Sequence, residues 1–169
     1  MDNPPYRETS KIFSPWFIFS FLPVLAVAVF LGWEGYHKQD YINMIGGILT
    51  FCCSGTVLLL LLMQKMTLII GREGILYNYY PAIRKFRKIK WADVQSVEII
   101  TYNPIRDFGG WGFKVSKKYG KGYTTRGNKG MWIRFVDGKT VFLTILNPAK
   151  AKEKIQVYSP HSTISIKTA

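Results

Sequence analysis

The sequence predicts a membrane α-helical hairpin of two spans, followed by an α+β domain: an antiparallel barrel or sandwich of about seven strands, capped by a C-terminal helix. Three observations predict it. The run Met44–Met63 carries no charged residue, and the uncharged stretch extends from Tyr41 to Gln64. Two alternating runs, Met131–Phe135 and Val141–Ile145, flank an Asp137-Gly138 pair, the strongest short-range hairpin signal. Asn147-Pro148 then opens a segment with apolar residues at helical spacing.

The charge is lopsided. Residues 64–169 hold 20 of the 23 Lys and Arg and six of the ten acidic residues, a net +14, whereas residues 1–63 are at −1. A strongly basic half implies an anionic partner, a phospholipid surface or a nucleic acid. A domain tethered beside an anionic leaflet already has its counter-charge, so membrane lipids are the expected contact and nucleic acid is disfavoured. The two cysteines, Cys52 and Cys53, are adjacent inside the apolar run and form no disulfide framework.

Residues 1–11 are polar, contain Pro4-Pro5, and read as an extended or fraying cytoplasmic segment. Ile12–Trp33 is uncharged and bracketed by Trp16 and Trp33, as aromatic belts bracket a span. Pro23 is expected to kink this helix. The competing reading is a cleaved signal peptide, with Ala26-Val27-Ala28 as the small-x-small site; the apolar run continues past it to Trp33, which favours a retained span. The hairpin therefore covers residues 12–64, with spans at about 15–33 and 44–63 and a short outer loop at 34–43. A helix of about 20 residues at about 1.5 Å each matches a hydrocarbon core of about 30 Å. Arg7 and Lys11 precede the hairpin and Lys65, Arg72, Arg84, Lys85, Arg87 and Lys88 follow it, against Lys38 alone in the loop. Positive-inside bias then places both termini in the cytoplasm.

A basic β-rich domain is expected over residues 65–158, with 159–169 as a tail. Met66–Ile70, Ile75–Tyr80, a strand within Trp91–Tyr102, and Gly112–Ser116 precede the late hairpin, and Arg84–Lys90 reads as a basic loop. Asn147 caps the final helix, Ala151, Ile155 and Tyr158 share its apolar face, and Ser159-Pro160 ends it.

Strands followed by one capping helix within Met66–Tyr158 match the layout of a pleckstrin-homology-like domain. The pieces IKWADVQSVEI (Ile89–Ile99), NPIRDFGGWGFKV (Asn103–Val115) and GNKGMWIRFVDGKTVFLTILNP (Gly127–Pro148) resemble bacterial pleckstrin-homology-like membrane proteins with two N-terminal spans. The resemblance implies that fold and a membrane address, with no shared catalytic motif.

Three sets of residues are candidates for contact. Gly46, Thr50 and Ser54 recur every four residues on the second span, a stripe for a partner's helix or for the chain's own first span. Arg106, Gly109, Gly110 and Trp111 mark a Gly/Trp loop for a protein partner, with a plain flexible loop as the alternative. Arg84, Lys85, Arg87, Lys88 and Lys90 suit anionic head groups, or else a charged strand edge that resists aggregation. On a regular strand Phe86 and Ile89 cannot both face the core. The histidines, His37 and His161, are isolated, Asp93 and Asp107 form no acid/base pair, and no metal-ligand or nucleotide-loop spacing occurs, so no enzyme, metal or cofactor is expected. The expected function is a non-catalytic accessory or scaffold subunit of an inner-membrane complex, or a self-associating one. The alternative is a module binding anionic lipid or nucleic acid through charge.

Overall fold

The computed structural model describes residues 4–12, 16–159 and 165–168. The chain divides into two units, residues 13–64 and residues 1–12 with 65–169.

The first unit is a pair of helices, α1 (Trp16–His37) and α2 (Tyr41–Leu62), both long and apolar enough to cross a membrane. Residues 13–15, where the first span was expected to begin, lie outside the described residues. Both helices run past the predicted spans, so the connector shrinks to Lys38–Asp40. Glu34 and Gly35 belong to α1, with Glu34 paired to Lys38 one turn on at 2.5 Å. Asp40 caps α2, accepting from the amides of Ile42 and Asn43 at 3.0 and 3.3 Å. The helices touch at Gly47, where a Cβ would strike the backbone of Ala28 and Gly32. Most of their large apolar side chains, Phe19, Phe30, Ile42 and Leu59 among them, point outward.

The second unit is a β domain of two sheets. A four-stranded antiparallel sheet runs β1 (Tyr6–Lys11), β2 (Lys65–Gly71), β3 (Gly74–Tyr80), β4 (Ile83–Ile89). The six-stranded sheet has the order β10 (Ser165–Thr168), β5 (Val94–Thr101), β8 (Lys129–Phe135), β9 (Thr140–Thr144), β7 (Gly120–Thr124), β6 (Gly112–Ser116). It is mixed, because β10 runs parallel to β5 and β7 parallel to β9. The expectation was an antiparallel barrel or sandwich of about seven strands; the described residues form ten strands in two sheets, with no closed barrel.

Several differences have physical causes. The N-terminal segment does not fray: β1 pairs with β2 over six residues, with Lys11 opposite Lys65. The basic run forms β4 instead of a loop, because β3 offers it an antiparallel neighbour. The tail contributes β10, although Pro160 and His161 lie outside the described residues. The Asp137-Gly138 turn joins β8 and β9 as the alternation predicts.

Val97, Ile99, Met131, Ile133 and Leu143 are fully buried, with Leu68, Ile70 and Ile75 of the smaller sheet. Helix α4 (Pro148–Tyr158) buries Ala151, Ile155 and Tyr158, and Asn147 caps it as predicted. On the other face of the larger sheet, Tyr102, Phe108, Tyr119 and Phe142 form a second cluster, with Trp132 packed against it. This is why every residue of β9 from Val141 to Thr144 is buried.

Glu8 on β1 ties the first strand to the last helix. Its carboxylate accepts from the amides of Leu146 and Asn147 at 3.1 and 3.4 Å and from the Tyr6 hydroxyl at 2.5 Å. Hydrogen bonds to a charged acceptor contribute about 1.5–3 kcal/mol each before solvent discount. Glu8→Ala is expected to lower stability by about 1–3 kcal/mol and to expose the amides of residues 146–147 to hydrogen exchange. Unchanged protection at those amides would show that β1 does not hold α4.

Candidate interaction surface

The basic segment lies on an edge. β4 borders the smaller sheet on one side only, and Arg84, Lys85, Phe86, Arg87 and Lys88 are all exposed, while Ile89 is buried. Pairing is irregular here. Tyr77 faces Arg87 and Tyr79 faces Ile83, so Arg84, Lys85 and Phe86 bulge opposite the single residue Asn78. The expected conflict between Phe86 and Ile89 resolves with Phe86 outside, 45% exposed. Lys88 pairs with Glu73, which holds the Glu73 carboxyl below its ordinary range. Lys90 is exposed beyond the strand.

Arg87 lies beside a feature that sequence reading missed. A cavity of about 200 Å³ is lined by Ala82, Ile83, Arg87, Phe113, Lys121 and Tyr123. Its floor is aromatic: Tyr123 stacks on Phe113 at 5.1 Å and packs on Tyr77 and Tyr79 at 5.3 and 5.7 Å. Burial pushes the Tyr77 phenol up to about 12, with Tyr123 adding to the effect. Lys121 and Tyr123 escaped notice because Lys117–Gly130 is glycine-rich and reads as loop. The signal was Tyr123 two residues after Lys121, in register with Phe113 and Val115 of the preceding strand.

The Gly/Trp segment opens with a short helix and continues as bends through Trp111. Asn103 caps α3 (Pro104–Phe108), accepting from the amides of Ile105 and Arg106 at 3.0 and 3.1 Å. Asp107 accepts in return from the Asn103 amide at 2.8 Å and pairs with Arg106 at 3.4 Å, so its role is structural. Gly109 ends the helix at φ 72°, where a side chain is strained. Phe108 is buried, whereas Arg106 and Trp111 are exposed, and Gly110 is half-buried.

On α2, Thr50 and Ser54 are half-buried, and their hydroxyls donate back to the carbonyls of Gly46 and Thr50 at 2.8 and 2.7 Å. Gly46 has open space where a Cβ would point, so the tight helix contact falls one residue later, at Gly47. The cavity thus brings Arg87 together with Phe113, Lys121 and Tyr123. Arg84 and Lys85 lie on the same strand, while the residues of α2 belong to the other unit. Among the described residues no group of three or more His, Cys, Asp or Glu is placed to hold a metal ion.

Compared with protein-family models and with curated proteins, the sequence matches none.

Burial at this surface and in the aromatic cluster gives two predictions. Phe86→Ser is expected to change stability by less than about 0.5 kcal/mol, and Ile89→Ala to cost about 2–4 kcal/mol, as measured by denaturant unfolding. The buried phenols of Tyr77 and Tyr102 stand at about 12, above the value of about 10 in an unfolded chain. Their neutral forms are therefore favoured by folding, a contribution complete below about pH 10 and lost as pH rises toward 12. Alkaline titration followed by phenolate absorbance should show a late phase, reduced by one residue in Tyr102→Phe. A single early phase would contradict the burial.

Proposed function

We propose that the chain is a two-pass protein of the bacterial inner membrane with both termini in the cytoplasm. Its β domain, a pleckstrin-homology-like fold with an opened barrel, works by binding, as an accessory or scaffold subunit of a membrane complex. One observation carries the anchoring. The chain leaves the smaller sheet after Lys11 and returns at Lys65, and these residues are register partners. Whatever path residues 12–64 take, they begin and end at one end of one strand pair. Two spanning helices meet that condition, because an even number of crossings returns the chain to its starting side. The outward apolar faces of α1 and α2 support a lipid environment, since water contact over such an area is rarely tolerated. Lys11 and Lys65 at the two ends favour the cytoplasmic side.

A second reading, contact with anionic lipid, is favoured by the position of the bulge. Lys65 faces Tyr80, and Ile83 lies only one register row away. Arg84 and Lys85 therefore project near the end of the sheet from which the chain departs for the helices. Each such charge near an anionic leaflet contributes about 1 kcal/mol.

Gentle detergent extraction from the native host, followed by identification of co-purifying chains at physiological salt, tests the subunit reading. A defined partner is expected to remain bound there. Emergence of the protein alone and monomeric would refute it, and binding only at low salt to phosphatidylglycerol vesicles would favour the lipid reading.

A further inference from the structure

The two sheets of the β domain meet at two corners, and only one is closed. At the first, β1 is tied to the residues after β7: the Arg126 amide donates to the Lys11 carbonyl at 3.4 Å, and the hydroxyls of Ser10 and Thr125 share a buried bond of 2.8 Å. At the second, β4 faces β6 and β7 across the cavity. Among the described residues no backbone hydrogen bond crosses it, and both β4 and β6 are edge strands.

Three properties of the open corner point to one kind of occupant. First, it is apolar where an edge should be guarded. Among the described residues of this domain, the exposed large apolar side chains that lie on strands are Phe86, Phe113 and Val115, all on β4 or β6. Lysines alone would read as ordinary protection against aggregation; Phe113 at 47% and Val115 at 69% exposure contradict that purpose. Second, the corner is cationic without counter-charge. β4, β6 and β7 contain no acidic residue, and Arg84, Lys85, Arg87, Lys114 and Lys121 make no ion pair among the described residues. Third, the cavity of about 200 Å³ falls below the range of about 300–1,000 Å³ usual for small-molecule sites. It has room for a side chain or two.

From these we infer that β6 accepts an extended acidic segment of a partner protein as an added strand. The segment's carboxylates face Arg87 and Lys121, and an apolar side chain rests on Phe113 and Tyr123. Main-chain pairing at the edge supplies affinity, and the cavity supplies selection of alternate side chains. A second copy of this chain brings the same uncompensated cations and is excluded on charge. The inference rests on the binding-module reading and names that partner's chemistry.

The test uses the full-length protein in neutral detergent and a labelled decapeptide alternating Glu and Val, with binding followed by fluorescence anisotropy. Saturable binding is expected, weakened at least tenfold by the double substitution Arg87→Glu, Lys121→Glu, and absent for a Lys/Val peptide. Two further peptides carry N-methyl groups on one or the other alternate set of amides. Only the set facing β6 should abolish binding, because N–H groups alternate sides along a strand. Equal binding by both methylated peptides would overturn strand addition, as would an unaffected double variant. Peptide binding that persists in phosphatidylcholine nanodiscs but vanishes in phosphatidylglycerol nanodiscs would assign the corner to lipid instead. Retention of native partners by the double variant would overturn this site while leaving the subunit reading intact.

Discussion

The antiparallel pairing of β1 with β2 is the constraint on which the rest depends. It joins residues on either side of the helical insertion, with Tyr6 opposite Ile70 at one end and Lys11 opposite Lys65 at the other. Closing a flexible loop of residues 12–64 costs roughly (3/2)RT ln n, about 3.5 kcal/mol before constants. The packed helix pair removes much of that cost, because antiparallel helices already bring their outer ends to one side. Contact at Gly47 therefore helps the strand pair form, and the strand pair in turn fixes the hairpin as a return path. Neither unit is an independent addition to the other in sequence: the β domain is interrupted by the helices.

From that pairing the larger sheet gains its second layer of support. Glu8 reaches the start of α4, so the first strand holds the last helix against the smaller sheet. Meanwhile β9 lies between β8 and β7 and is covered on both faces. Phe142 and Phe108 pack so closely over the sheet that a Cβ on Gly130 or Gly122 would collide with their rings. The aromatic cluster thus explains two glycines that look, in the sequence, like loop punctuation.

What was legible follows from how local each signal is. The helices, the β8–β9 hairpin and α4 rest on runs and caps read within a few residues, and all are present. Gly46 and Gly47 differ by one step of about 100° around α2, too fine a distinction for a stripe of small residues to make without the neighbouring helix. β1, β7 and β10 were missed because their stability comes from partners distant in the chain. Tyr6–Lys11 has no apolar alternation that would mark it, and Gly120–Thr124 holds two glycines; each is a strand because a neighbour supplies its hydrogen bonds. The same reason hid the cavity. Arg87 was visible as one of five cations, but its nearness to Lys121 depends on how the two sheets meet.

Closing one corner and leaving the other open has an energetic logic. At the β1 corner the facing groups are short polar side chains, Ser10 and Thr125, which are buried and satisfy one another. At the β4 corner the strands carry long cations that repel one another across the gap. Bringing β4 and β6 into contact would desolvate Arg87 and Lys121 with no carboxylate between them, a cost that backbone pairing alone does not offset. Charge repulsion therefore favours an open corner, and the same repulsion is relieved by a strand that brings negative charge. Phe113 and Val115 add an apolar gain that is realised only when the corner is covered. Charge keeps the chain from closing on itself, and apolar surface rewards closure by something else.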